Sequence, residues 1–169
     1  MSYAIRPAGT GDWAEAREIR LRALQEAPTA YGSSYAREIT FTEQDWRERL
    51  ATAYTYLASG PDGAVVGTVT GVWMQDGDVY LVAMYVAPTA RGGGLAHALI
   101  DKVVGVTARR AGSRVVLRVT EGNDTAERCY RRYGFRPTGR RITGETALGL
   151  TEQEFAYAVG KAETVGAGD

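Results

Sequence analysis

Three consecutive glycines, Gly92, Gly93 and Gly94, separate a β-rich run ending at Val86 from an apolar-periodic segment beginning at Leu95. This succession of strand, glycine turn and helix entry constrains the chain more than any other feature. Leu95, Leu99 and Val103 recur every fourth residue and mark the buried face of the helix, which runs to about Arg110 and is stopped by Gly112. Glycine lets a backbone approach an anion with no Cβ in the way. The first helical N–H groups are unpaired and the helix dipole adds positive potential there, so the junction suits a phosphate. Arg91 adds a fixed cation.

The competing reading of a glycine run is a plain flexible turn, so its context must decide. A Walker A loop needs Lys followed by Ser or Thr after its last glycine, where Leu95 and Ala96 stand. A dinucleotide turn needs an acidic residue about 20 positions on, at the end of the next strand. That strand runs to Val119 and Glu121 follows too late. Both nucleotide readings weaken.

Around this junction the pattern predicts a short strand at Tyr3–Arg6, a helix from Asp12 to about Gln25 ended by Pro28, and a loop over Ala27–Ala36. A second helix follows, capped by Thr42 with Asp45 three residues on, and runs to about Ala51. Tyr54–Ser59, Val65–Met74 and Val79–Val86 read as three successive antiparallel strands joined by turns at Pro61–Gly63 and Asp76–Gly77. Arg114–Val119 is a further strand, Asn123–Tyr133 a helix, and Phe135–Ile142 with Glu154–Val159 a closing hairpin. The expected architecture is α/β (α+β), with helices on both faces of one sheet. No repeat or linker divides the chain, so residues 1–160 are expected to form one domain and 161–169 a disordered tail.

Composition narrows the function. A chain of 169 residues, 44% apolar and 24% charged, can bury a core without disulfide or metal staples. Lys and Arg total 20, as do Asp and Glu, so no net field would hold the chain on nucleic acid or an anionic membrane. Cys129 is the only cysteine, which excludes an intrachain disulfide and a multi-cysteine zinc site and suits a reducing compartment. Met1–Ile5 shows no basic region leading into an apolar stretch, and no apolar run is long enough to span a bilayer, so the expected location is the cytoplasm.

Val86-Ala87-Pro88 followed by Arg91-Gly92-Gly93-Gly94-Leu95-Ala96 resembles the acetyl-CoA motif of the GNAT superfamily of N-acetyltransferases, Gln/Arg-x-x-Gly-x-Gly/Ala after a strand and Val-x-Pro. Arg91, Gly94 and Ala96 fill its defined positions. Asn123-x-x-Ala126-x-x-x-Tyr130-x-x-x-Gly134-Phe135 is similar to the family's next motif, on the helix flanking the coenzyme's thiol end. The resemblance covers nearly the whole chain. It implies a single GNAT-like domain with a central mixed, mostly antiparallel sheet, a splayed strand pair, and acetyl-CoA as cosubstrate with no metal.

The resemblance also implies roles. Backbone amides of Met84, Tyr85 and Val86 would meet pantetheine and the acetyl carbonyl, and those of Arg91, Gly92, Gly93, Gly94, Leu95 and Ala96 the pyrophosphate. On the later helix, offsets of three and seven put Asn123, Ala126 and Tyr130 on one stripe facing the coenzyme. Tyr130 is the expected general acid; with tyrosine near ~10 and a free thiol near ~8.5, it would donate a hydrogen bond to the thiolate more readily than a complete proton. Without the motif, Tyr130 would read as an ordinary core aromatic, as Tyr133 does.

Several peptide-acetylating relatives carry a glutamate base five residues before the motif asparagine, and this chain has Arg118 there. Glu121 is the remaining candidate base, directly or through water, although a loop carboxylate is usually just solvated. His97 reads as a surface or supporting residue and Cys129 as an inert buried thiol, so direct transfer is preferred to an acetyl-enzyme. The acceptor amine is expected between Ala27–Arg37 and about Thr143–Leu150. Small amines and protein N-termini both stay open, a homodimer paired at the sheet's end is compatible with the resemblance, and the alternative function is a CoA-binding regulatory module without catalysis.

Overall fold

The computed structural model describes residues 2–160; the tail expected to be disordered, 161–169, lies outside the described residues. The elements run β1 (Ala4–Pro7), α1 (Trp13–Glu26), α2 (Tyr35–Glu38), α3 (Glu43–Thr52), β2 (Tyr54–Ser59), β3 (Val65–Trp73), β4 (Val79–Val86), α4 (Leu95–Arg109), β5 (Arg114–Thr120), α5 (Asp124–Tyr133), β6 (Arg136–Thr143) and β7 (Thr151–Ala158). Thr42 and Asp45 exchange the two hydrogen bonds of a capping box at the start of α3. Two elements differ from expectation. The predicted loop closes with the one-turn helix α2, whose Ser34 hydroxyl accepts the Arg37 N–H. β7 begins at Thr151 rather than Glu154, because Glu152 and Glu154 occupy buried positions that interrupt its apolar alternation.

The seven strands form one sheet in the order β1-β2-β3-β4-β5-β7-β6. All pairings are antiparallel except β4 with β5. On one face α4 and α5 cover the main core, where Leu95, Leu99, Ile100 and Val103 meet Val115, Leu117, Phe135 and Phe155. On the other, Ile19 and Ala23 of α1 pack with Leu57, Tyr85 and Ala87. A Cβ on Gly71 of β3 would stand 3.1 Å from Val79 and 3.2 Å from Val103, so the glycine is what lets α4 lie close on the sheet.

A bulge in β4 organises the centre. Thr68 pairs with Tyr85 but Thr70 with Val82, and the extra residue, Ala83, takes φ 54°. The insertion shifts the phase of the strand: Val79 and Leu81 point into the core before it, Met84 and Val86 after it, and Tyr85 turns to the α1 face. β4 and β5 pair only at Val79↔Val115 and Tyr80↔Val116 and then diverge.

A buried ion cluster ties α1, α2 and α3. Glu38 is 0% exposed and accepts from Arg20 Nε at 3.0 Å, Arg20 Nη2 at 2.9 Å and Arg49 Nη1 at 3.0 Å. Burial alone would push the Glu38 carboxyl up, but the two guanidiniums outweigh it and hold it below the usual carboxylate range.

Candidate active site

Where β4 and β5 part, a cleft of ≈ 700 Å³ opens between them, with the α1–α2 loop over one side, the glycine turn at one end and α5 along the wall. The Ala87 N–H donates to the Val66 carbonyl at 2.8 Å, so by antiparallel alternation Tyr85 turns its peptide groups to β3, and Met84 and Val86 turn theirs to the gap. The gap-facing carbonyls are both held: Met84 accepts from the Tyr31 hydroxyl at 2.9 Å and Val86 from Arg91 Nε at 2.9 Å. The Met84 and Val86 N–H groups are left facing the gap. Tyr85 instead sends its hydroxyl to Glu26, at 2.6 Å.

At the glycine turn, Gly92 and Gly94 both adopt φ 81°, and Gly94 is the residue from which α4 starts. No side chain caps that helix start, and a Cβ built on Gly92 or Gly94 would meet nothing within 4 Å. A helix N-terminus with free amides and open space above it is what a phosphate requires. The residues therefore fit the acetyl-CoA that the sequence implies.

α5 supplies the facing wall. Asn123 spends its Oδ1 on the Ala126 N–H at 3.2 Å, capping its own helix, while both residues line the cleft with Tyr130. Tyr130 is 9% exposed and packs edge-on to Phe135, with ring centroids 5.7 Å apart. Burial, reinforced by Cys129 and Tyr31 nearby, pushes its hydroxyl well above the ordinary tyrosine range, so it stays a protonated donor. Burial likewise raises Tyr31 to about 12, against the opposing charges of Arg20 and Arg91.

Glu121, the carboxylate expected as a base, pairs with Arg141 and is not among the residues lining the cleft. Among the described lining residues there is no Asp or Glu. Cys129 and His97 do line it. The Cys129 thiol is pushed up by burial, away from thiolate, and His97 Nε2 lies 3.3 Å from the Cys129 carbonyl with its ring edge-on to Tyr133. No group of His, Cys, Asp and Glu among the described residues could hold a metal ion, and none of the described helices is long and apolar enough to cross a membrane.

The family model for the GNAT acetyltransferases matches residues 13–135, which contain the glycine turn, the splayed strands and Tyr130. The chain belongs to the GNAT acetyltransferase family. An uncharacterized N-acetyltransferase of Mycobacterium tuberculosis is 36% identical over 85 residues, 50% of this chain and 54% of that protein, so the chain matches about half the length of its mycobacterial relatives. A Bacillus subtilis protein provisionally named a ribosomal protein bS18 alanine N-acetyltransferase is 27% identical over 141 residues, 80% of this chain and 92% of its own. Among solved structures, a GNAT phosphinothricin acetyltransferase from Sinorhizobium meliloti in complex with acetyl-CoA superposes with a TM-score of 0.78 at 18% identity, covering 96% of this chain and 91% of that one. A Salmonella typhimurium protein provisionally named an acetyltransferase, with its cofactor acetyl-CoA, gives 0.74 at 18% identity, covering 99% of this chain and 100% of that one.

Tyr31 is the contributor to this GNAT cleft that the sequence did not single out. It lies within the Ala27–Arg37 segment expected to frame the acceptor, yet it closes the splayed edge at Met84 from 53 residues away. The loops expected to frame the acceptor do meet. Thr120 donates its hydroxyl to the Thr29 carbonyl at 2.8 Å, and the Ala147 N–H donates to the Gly32 carbonyl at 2.8 Å.

Proposed function

We propose that this GNAT protein moves the acetyl group of acetyl-CoA to a primary amine, on a small molecule or a protein N-terminus, by direct attack in a ternary complex. Acetyl-CoA supplies the activated acyl thioester; the chain binds it, orients it and manages the protons. The observation that carries the reading is the splay itself: gap-facing Met84 and Val86 N–H groups on one wall and a protonated, buried Tyr130 on the other. Backbone donors fixed before reaction can stabilise negative charge on a carbonyl oxygen without reorganising. Tyr130 gives a hydrogen bond to the departing sulfur, and the amine proton leaves through water, with no Asp or Glu among the described lining residues.

The relatives named for phosphinothricin and for an alanine of a ribosomal protein support keeping both kinds of acceptor open. The test is calorimetric titration with acetyl-CoA, followed by thiol release on adding primary amines and N-terminal peptides. Micromolar binding with amine-dependent release is expected. Binding without release from any amine would favour a regulatory CoA-binding module, and no binding would remove the coenzyme assignment.

A further inference from the structure

At the closed end of the gap, remote from the glycine turn, the lining includes Arg118. Val115, Leu117 and Val119 of β5 point into the core beneath α4, so Arg118 and Thr120 point the other way, toward the loops that frame the acceptor side. Arg118 lies over the ring of Tyr80, 5.4 Å from its centroid, at the last residue pair before β4 and β5 separate. Its Nε and the Tyr80 hydroxyl are both buried without a hydrogen-bond partner. Its Nη1 is bonded to Glu145, at 2.5 Å, and lies 3.9 Å from Glu152. Glu145 reaches Arg118 from the β6–β7 loop and is 58% exposed, whereas the Arg118 side chain is 22% exposed and lines the cleft.

We infer that Arg118 recognises a carboxylate of the acceptor, so that the preferred substrate is an amine with a carboxylate close beside it, as in an α-amino acid or its analogue. The inference rests on the acetyl-transfer reading. Glu145, a carboxylate brought in on an exposed loop, occupies the position the substrate's own carboxylate takes, and an ion pair with one partner in solvent is weak enough to exchange. A guanidinium offers a planar fork matched to a carboxylate, and here its hydrogen bond to Glu145 is made through Nη1. In an α-amino acid the nitrogen is two bonds from the carboxyl carbon, so anchoring one end on Arg118 holds the amine beside the splay. The same positive charge disfavours the ammonium form and so favours the neutral amine that must attack.

The experiment compares free L-amino acids with their carboxamides as acceptors, by thiol release, in the native chain and in Arg118→Gln and Glu145→Gln. Acetyl-CoA affinity and thermal melting are read on the same samples. A site built to pair a charge rejects the uncharged analogue, so kcat/KM should favour the best acid over its amide by about 30-fold or more, and Arg118→Gln should bring that ratio to within about threefold. Glu145→Gln removes the internal competitor and should lower KM for the acid; should Arg118→Gln fail to fold, this variant decides. Equal use of acids and amides by the native chain, a ratio that survives Arg118→Gln, or an unchanged or raised KM in Glu145→Gln overturns the inference. Acetyl-CoA binding with no turnover of free amino acids also overturns it and leaves the coenzyme assignment standing; failure to bind acetyl-CoA removes the transfer reading beneath it.

Discussion

Tyr130 is held between Phe135 and the cleft with its proton secured by burial, and that environment defines its test. Tyr130→Phe keeps the ring and removes the donor. Turnover should fall by about 10- to 100-fold while acetyl-CoA affinity stays within about threefold, as read by thiol release and calorimetry. Unchanged turnover would take Tyr130 out of the mechanism. Gly94→Val probes the opposite end. At φ 81° a β-branched residue costs about 1–2 kcal/mol of stability, yet its Cβ meets nothing in the free chain. Acetyl-CoA affinity should therefore fall by more than that strain alone, about tenfold or greater, because the methyls enter the pyrophosphate space. Equal affinity in the folded variant would refute the placement. At this scale the sequence displayed the features whose geometry is local, the glycine turn and the α5 stripe. It hid those whose partners are distant: Tyr31 on Met84, Glu121 drawn off to Arg141, and Arg118 paired with Glu145.

Among elements, α2 is four residues long and too short for any periodicity to announce it. Its place is set by Glu38, which clasps α1 through Arg20 and α3 through Arg49. Glu38→Gln leaves two guanidiniums under-paired and should cost about 3 kcal/mol, the lower part of the range for a broken buried pair because Arg49 is partly in solvent. Since the folded carboxyl is held below its ordinary range, its contribution is present at neutral pH and is lost as pH falls through the lowered value. Urea melts between about pH 6 and pH 3 should show a steeper loss for the native chain than for Glu38→Gln; parallel slopes would show that Glu38 is not depressed. The splay at the β4 bulge was implied by the family resemblance, but no local pattern marks the residue that makes it. The left-handed residue is Ala83 rather than a glycine, and nothing local distinguishes that alanine from its neighbours. By contrast, the order of the strands and long helices was readable, because each has a continuous apolar face on the shared core.

For the molecule as a whole, a ligand that touches β4, the start of α4 and α5 must stabilise the folded state by mass action. At about 100 times its dissociation constant acetyl-CoA should add about 2.7 kcal/mol, which for a chain of this size raises the melting midpoint by about 5–10 °C in a calorimetric scan. No shift at saturation would contradict the proposed fit. β1 to β4 are drawn from residues 4–86 and β5 to β7 from residues 114–158, and in the sheet these stretches meet, among the described residues, only at Val79↔Val115 and Tyr80↔Val116. The cleft is thus a seam between two contiguous stretches of the chain, with α4 packed against strands of both. Amides along that seam should exchange with deuterium through sub-global openings that leave each half intact, at a lower free energy than complete unfolding. A coenzyme lying across it would act as a stitch, slowing exchange on both strands at once, so catalysis and the cooperativity of the fold would share one line through the molecule.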